Sequence, residues 1–127
     1  MMLEESHRLS DGPIRMSSTL MRKIRQSLLF IADGTAIGTV PGALRDRLNT
    51  TPAQLIPSPN VCVELGYALQ CKRSEQILLT QMERSEFGGQ FPFDLPGRNR
   101  IVYGSKTDLH KSLPDAIDLQ LQRFNLL

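Results

Sequence analysis

The chain has 127 residues, of which 40% are hydrophobic and 22% charged, and its formal net charge at pH 7 is +2. These values predict one globular domain with a modest core and exclude an intrinsically disordered chain. The basic residues are scattered along the sequence, which argues against a nucleic-acid partner. No apolar run approaches the length of a membrane span, and the N-terminus lacks an apolar signal region, so we expect a cytoplasmic protein without a membrane partner.

The N-terminal part of the sequence predicts one helix. Residues 1–16 are polar and are expected to form a flexible lead-in. Apolar residues at helical spacing predict a helix over 17–27, and either Ser17 or Ser18 suits its N-cap position.

A buried strand and a long connection are predicted next. The unbroken apolar run over 28–31 is typical of a parallel strand covered on both faces, and it stops at a turn that contains Asp33 and Gly34. Residues 36–59 are rich in proline and predict a long loop, within which residues 42–50 suit a short helix.

The second half of the sequence alternates between helix and strand signals. Asn60 is expected to cap a helix over 61–72, strands are expected over 75–81 and 98–104, and a last helix over 108–124. The core positions expected on that last helix are Leu109, Leu113, Ala116, Ile117, Leu121 and Phe124. Strands that alternate with helices predict an α/β fold with a parallel sheet, whose ligand site lies beyond the carboxyl ends of the strands.

Glu64 is the one carboxylate in an otherwise apolar or small stretch of the helix over 61–72. The core stripe of that helix is expected to contain Val61, Leu65, Ala68 and Leu69. Glu64 lies about 60° from Val61 on the other side, on the same flank as Tyr67. This position fits both a solvated carboxylate and a functional one. Gly66 lowers helix propensity by about 1 kcal/mol, so we expect a ligand or another backbone segment to approach it closely.

The two cysteines are expected to be free thiols. Cys62 and Cys71 lie on opposite faces of the predicted helix and about 13 Å apart along its axis, which exceeds the reach of a disulfide. The two histidines, His7 and His110, are remote from both thiols in the sequence. The sequence therefore predicts no metal site.

The segment PNVCVELGYAL, residues 59–69, resembles the Asn-Val-x-x-Glu-Leu-Gly-Tyr-Ala motif of bacterial TIR-like (Toll/interleukin-1 receptor-like) nucleotide-binding domains. LMRKIRQSLLFIADGT and FPFDLPGRNRIVY resemble further segments of that family in the same order, so the resemblance covers roughly residues 12–124. The shorter stretch VELGYAL is also similar to the nucleoside deoxyribosyltransferases. The resemblance implies an α/β fold with three layers and a parallel, flavodoxin-like sheet.

Both families act on the N-glycosidic bond of a nucleoside or nucleotide. The resemblance therefore implies cleavage of NAD to nicotinamide and ADP-ribose in bacterial defence against phage, with NAD as the substrate and no bound cofactor. By the same resemblance Glu64 is the catalytic carboxylate. One carboxylate suffices chemically, because nicotinamide leaves as a neutral base and needs no general acid, whereas an ordinary glycoside needs two carboxyl groups.

Four further residues are predicted to lie near the ligand site, and three of them also have a structural interpretation. Asp33 is expected to accept hydrogen bonds from ribose hydroxyls, or to form a turn. Ser58 and Asn60, with the helix N-terminus, are expected to hold the diphosphate, and the alternative role of Asn60 is to cap the helix. Tyr67 is expected to stack on a base, or to be a half-buried structural residue.

The segment that contains Phe93 and Asp94 has a similar pair of interpretations. With Phe91, these residues are expected to close over the nucleotide, or to contribute packing and a turn. No general acid for a deoxyribosyltransferase reaction is evident, which makes that enzyme class an alternative only.

The TIR-like family begins with a strand and a helix that have no counterpart in the sixteen residues ahead of the first predicted helix. We therefore expect an N-terminally truncated version of the fold, with one sheet edge open. An open, apolar edge strand favours pairing with another chain, so a homo-oligomer is predicted. The second alternative is a non-catalytic module that senses a nucleotide or binds a protein.

Overall fold

The computed structural model describes residues 16–40, 44, 47, 54–87, 91–93 and 95–125. Its helices are α1 (Ser18–Gln26), α2 (Pro59–Cys71) and α3 (Lys106–Arg123). Its strands are β1 (Phe30–Asp33), β2 (Ala36–Thr39), β3 (Leu55–Pro57), β4 (Ile77–Met82) and β5 (Arg100–Tyr103). Short 3₁₀ helices, Ser74–Gln76 and Gly97–Asn99, lead into β4 and β5.

Three strands form a parallel sheet in the order β1-β4-β5. Asp33 at the end of β1 is in register with Thr80, and Tyr103 at the end of β5 is in register with Met82 at the end of β4. The carboxyl ends of all three strands therefore lie at one edge of the sheet. This arrangement confirms the predicted α/β class with a parallel sheet.

Helices pack on both faces of the sheet. On one face, residues of β1 and β4 form a buried cluster with α1 and α2, whose members are Ile24, Ala32, Leu65, Ala68, Ile77, Leu79 and Leu95. On the other face, Leu78 of β4 packs against Ile117 and Leu121 of α3. Ile31 of β1 and Ile101 of β5 lie on that second face as well. This alternation follows from the pleat, which directs successive side chains to opposite faces.

The first predicted helix is confirmed, and Ser17 is its N-cap. The Ser17 hydroxyl accepts a hydrogen bond of 3.1 Å from the N–H of Leu20. At the other end, the Lys72 ammonium donates to the carbonyls of Ser27 (2.5 Å) and Arg25 (3.4 Å). Lys72 follows α2 directly, so this contact holds the C-terminal ends of α1 and α2 together.

The predicted cap of the second helix is wrong. Asn60 lies inside the first turn of α2, and Ser58 is the N-cap, with its hydroxyl 3.4 Å from the N–H of Val61. The reason is Pro59, which suits the first helical position because it has no N–H and a fixed backbone angle. The first strand also lies later than predicted, because β1 includes Asp33 rather than ending ahead of it.

The long loop predicted over residues 36–59 contains β2 and β3, which pair antiparallel in a separate two-stranded sheet. The pairing is irregular between Ala36 and Gly38, and β3 has only three residues. Neither strand carries a clear alternation of apolar and polar residues, which explains why the pattern was not recognisable. Leu44 and Arg47, within the predicted short helix, are helical.

The last helix begins two residues earlier than predicted, at Lys106, because Ser105 caps it by accepting from the N–H of Asp108. The predicted core positions Ile117 and Leu121 are buried. Phe124 follows the helix as its C-cap residue rather than lying within it. None of the helices in the described part of the chain combines the length and apolar character that a bilayer crossing requires.

Candidate functional site

The candidate site lies at the edge of the sheet where β1, β4 and β5 end, which we call the carboxyl edge. α2 runs from this edge back to the start of β4, because β1 and β4 are parallel. α1 leads directly into the start of β1, so it runs in the same direction as α2. The N-termini of α1 and α2, capped by Ser17 and Ser58, therefore both lie towards the carboxyl edge. Exposed N–H groups at such ends favour anionic ligands.

Asp33 is the last residue of β1, and its exposed carboxylate is held by three donors. Oδ2 accepts a 2.6 Å hydrogen bond from the Tyr103 hydroxyl. Oδ1 accepts one of 2.8 Å from the N–H of Thr35 and another from the Thr35 hydroxyl. The carboxylate is therefore fixed in orientation, and it also forms the local turn that the structural interpretation predicted.

Tyr103 and Thr35 extend this network across the sheet. The Thr35 hydroxyl oxygen accepts a 2.8 Å hydrogen bond from the N–H of Met82. Burial of Tyr103, whose side chain donates to Asp33, raises the pKa of its phenol, and the neighbouring carboxylate raises that pKa further. The network thus ties together the ends of β1, β4 and β5.

The network lies on the face of the sheet that α3 covers. Asp33 has the same pleat parity as Ile31, and Tyr103 the same as Ile101, and both isoleucines face α3. Ala32, which lies between Ile31 and Asp33 in β1, packs in the buried cluster with α2. The side chain of Asp33 therefore leaves the sheet on the face opposite to the helix that carries Glu64, and any ligand shared by the two residues would have to span the rim of the sheet.

Glu64 lies in the second turn of α2 and is half-buried. Its neighbour Leu65 is fully buried beneath the helix, while Val63 is 39% exposed. Glu64 follows the Ser58 cap by six positions, which places it about 9 Å below the N-terminus of the helix. The carboxylate is thus at the border of the core, as its position on the helical wheel predicted.

Ser58 and Asn60 differ in what they do at the start of α2. Ser58 is half-buried and its hydroxyl accepts a backbone N–H, so capping is its observed role. Asn60 is exposed in the first turn. Asn60 is therefore the better placed of the two to contact a ligand at the helix N-terminus.

Tyr67 is held by α1. Its ring packs against the cluster beneath α1 and α2, and its hydroxyl accepts a 2.7 Å hydrogen bond from Nη1 of Arg25. Tyr67 lies one turn after Glu64 on the same flank of α2, so the two side chains are neighbours on the helix surface. The contact with Arg25 agrees with the structural interpretation of Tyr67.

Phe93 packs against the same cluster, together with Phe91. The centroids of the two rings are 5.6 Å apart, and the guanidinium of Arg100 lies 5.8 Å from the ring centre of Phe91. Both phenylalanines therefore have the packing role that was the alternative to closing over a nucleotide. Asp94 lies outside the described residues.

Of the predicted residues, the structure brings Glu64, Tyr67 and Phe93 to the face covered by α1 and α2, and it places Asp33 on the other face. Sequence reasoning missed Tyr103 and Thr35, which orient Asp33. One signal was present: Tyr103 ends the third predicted strand just as Asp33 follows the first, and parallel strands bring such ends together.

The thiols show no sign of a metal site. Cys62 and Cys71 are both free, and partial burial raises the pKa of the Cys62 thiol. Within the residues that the structure describes, no group of three or more His, Cys, Asp or Glu side chains is placed to hold a metal ion.

Comparisons with known protein families, with characterised proteins and with solved structures return no match for this chain.

Proposed function

We propose that this protein is a nucleotide N-glycosidase that cleaves NAD to nicotinamide and ADP-ribose, with Glu64 as its catalytic carboxylate. The observation that carries the proposal is the position of Glu64, half-buried in the second turn of a helix that starts at the carboxyl edge of a parallel sheet. Ligands of open α/β sheets bind beyond that edge. The resemblance of residues 59–69 to the TIR-like motif supports the same role.

The reaction suits one carboxylate at the border of the core. Cleavage leaves positive charge on the ribose, and a carboxylate stabilises that charge more strongly where the protein excludes water. The backbone N–H groups at the start of α2 and the exposed Asn60 are suited to the diphosphate. Asp33, oriented by Tyr103 and Thr35, would offer its remaining lone pairs to a ribose hydroxyl at the rim of the sheet.

The same proposal extends to the finer architecture and to assembly. Helices on both faces of the sheet favour a three-layer, flavodoxin-like arrangement of the TIR-like kind. Within the described residues β1 is an outer strand that pairs only with β4, so its other side is suited to pairing with a second copy. A stable monomer in light scattering at micromolar concentration would contradict the proposed homo-oligomer.

The direct test is incubation of the purified protein with NAD and detection of free nicotinamide. Glu64→Gln, which keeps the shape of the side chain, is expected to abolish turnover and to leave the melting temperature unchanged. The matched control is Glu75→Gln, which removes the same charge at the opposite edge of the sheet, in the 3₁₀ helix before β4. Absence of nicotinamide from the wild type at every protein concentration, or equal loss in both variants, would refute the enzymatic role.

The second candidate is a module that binds a nucleotide without cleaving it. The observation that favours it is the network at Asp33, because both oxygens of the carboxylate proposed for ribose binding already accept hydrogen bonds from the chain. A nucleotide that raises the melting temperature while no product forms would support this candidate. Base exchange between nucleosides would instead support a deoxyribosyltransferase-like enzyme.

A further inference from the structure

Basic residues that are far apart in the sequence meet at the other edge of the sheet, where the strands begin, which we call the amino edge. α1, α2 and α3 all end there, and both 3₁₀ helices lie there. The exposed cations at or next to these chain segments are Lys23, Arg25, Arg73, Arg98 and Arg123. No stretch of the sequence contains more than two of them, so the fold, and not local composition, creates this basic surface.

Side-chain contacts join the segments that carry these cations. Lys72 donates to the carbonyl groups at the end of α1, which places Arg73 beside the last turn of that helix. Gln120, in the last turn of α3, donates a 2.9 Å hydrogen bond to the carbonyl of Glu75, in the 3₁₀ helix before β4. The guanidinium of Arg98 lies 5.6 Å from the ring centre of Phe124, which follows α3.

Buried Asn99 completes the connection. Its amide donates 2.7 and 2.9 Å hydrogen bonds to the carbonyls of Ser74 and Ile77, joining the two 3₁₀ helices. The five cations therefore lie on segments that meet along one edge of the folded unit. The segments that carry them are joined by these part-buried and buried side-chain contacts.

Negative charge is sparse at the same edge. Among the described residues, Glu75 is the acidic residue that lies there, and Asp118 is more than one turn ahead of Arg123 on α3. At the carboxyl edge the acidic residues Asp33, Glu83, Glu86 and Asp108 lie among the cations Arg84 and Lys106, with Lys111 close by. The described amino edge therefore carries an excess of positive charge, whereas the charges at the carboxyl edge nearly balance.

Favourable interaction with the helix dipoles accounts for only some of the cations at this edge. Cations in the last turn of a helix are stabilising, and Lys23, Arg25 and Arg123 occupy such positions. Arg73 and Arg98 lie outside the α-helices, in the segments that precede β4 and β5. These two arginines therefore add positive charge that the dipoles of the α-helices do not account for.

We propose that the amino edge binds the phosphate backbone of a nucleic acid. Four of the five cations are arginines, whose planar guanidinium groups form paired hydrogen bonds with phosphate oxygens. Contacts to phosphates supply most of non-specific nucleic-acid affinity and need a spread of cations rather than a base-reading element. The sequence argued against such a partner because the basic residues are scattered, and the topology is what brings them together.

The composition of the edge favours nucleic acid over an anionic membrane. A helix or surface that binds a bilayer inserts large apolar side chains beside its cations. Among the described residues, two exposed large hydrophobic side chains lie at or beside this edge, Leu28 (38% exposed) and Leu119 (53% exposed, one residue before Gln120), against five exposed cations. Phe124 lies beneath the guanidinium of Arg98.

The test measures fluorescence anisotropy of a labelled single-stranded oligodeoxynucleotide against the full chain over a range of salt concentrations. The variant Lys23→Gln/Arg73→Gln removes two cations from the amino edge. Lys106→Gln/Lys111→Gln is the matched control, because it removes the same charge from exposed positions at the start of α3, near the carboxyl edge. Neither pair includes a residue that contacts the candidate site.

We expect salt-sensitive binding by the wild type and by the control. The amino-edge variant should bind about fivefold to tenfold more weakly, and its plot of log affinity against log salt should be less steep by about 1.4, two contacts at about 0.7 each. The proposal is overturned if the wild type does not bind, if both variants weaken equally, or if the protein binds vesicles of anionic phospholipid and not the oligonucleotide.

Discussion

The hydroxyl of Tyr103 donates a 2.6 Å hydrogen bond to Oδ2 of Asp33, and this contact joins the last residues of the two outer strands across the central strand β4. The phenol is buried while the carboxylate is exposed. The bond therefore has one partner in the core and one at the rim of the candidate site. It links the two outer strands at the carboxyl edge directly, beside the contacts that Thr35 makes with Asp33 and Met82.

Tyr103→Phe is expected to destabilise the fold without changing its core. The substitution removes the bond to a charged acceptor, which contributes about 1.5–3 kcal/mol when shielded and less here because Asp33 is exposed. We expect a decrease of about 1–2 kcal/mol in the free energy of unfolding, measured by urea denaturation. Tyr67→Phe is the matched control: its hydroxyl contacts Arg25 at the surface and should cost under about 1 kcal/mol. Equal losses in both variants would contradict the special role of Tyr103.

The ionisation of Tyr103 provides a pH test. Its pKa is raised in the folded state by burial and then by the bond to Asp33, so the folded protein holds this proton more tightly than the unfolded chain. The resulting stabilisation is complete below pH 10, the ordinary tyrosine pKa, and is lost as the pH rises through the higher folded-state pKa. Tyrosinate absorbance in a Tyr67→Phe background should rise only above pH 10, and adding Asp33→Asn should move that rise to lower pH.

Sequence patterns predicted the parallel sheet and the helices well because those elements bury regular apolar faces. The stripe through Leu65 and Ala68 proved to be core, whereas the run over 28–31, predicted to be buried on both faces, is only partly buried and Leu28 is 38% exposed. The short hairpin of β2 and β3 was missed because it buries too few side chains to leave a pattern. At the candidate site, the border position of Glu64 was predictable from helix geometry, whereas the contacts of Asp33 with Tyr103 and Thr35 depend on strand order, which a sequence does not state.

Lys72 shows the same dependence on tertiary structure. Its side chain is 9% exposed, and its ammonium donates to carbonyls at the end of α1. Burial lowers the pKa of this lysine, with a smaller opposing effect from Cys71. Lys72→Met keeps the length of the side chain but leaves the carbonyls without this donor, so we expect a loss of about 1–3 kcal/mol in urea denaturation.

The exposed neighbour Arg73 supplies the control for Lys72. Arg73→Met removes the same charge without a buried donor and should change the free energy of unfolding by less than about 0.5 kcal/mol. The pKa of Lys72 is lower in the folded protein than the ordinary value of 10.5, so the folded protein releases this proton more readily than the unfolded chain. The free energy of unfolding of the wild type should therefore rise as the pH approaches 10.5, and Lys72→Met should abolish that rise. Similar stability of the two variants would show that the ammonium is not structurally important.

The packing at position 34 favours glycine, because the chain just after β1 passes close to a core side chain. A Cβ at this position would lie 3.0 Å from both Cδ atoms of Leu79, a fully buried side chain. Gly34→Ala should therefore destabilise the protein by about 1–3 kcal/mol through overpacking, seen as a lower melting temperature. Gly97→Ala is the control, since no described atom lies within 4 Å of its added Cβ, and an equal effect there would contradict the packing explanation.

Gly66→Ala separates the proposed ligand site from a merely structural surface. The expected approach of another backbone segment to Gly66 is not found, because a Cβ there meets no described atom within 4 Å outside its own helix. Alanine should stabilise the unliganded protein by about 0.5–1 kcal/mol through helix propensity. If a nucleotide packs against this part of α2, the added methyl should weaken NAD binding or turnover at least severalfold while the melting temperature rises. A rise in stability with unchanged NAD binding and turnover would show that the space beside Gly66 is not part of the nucleotide site.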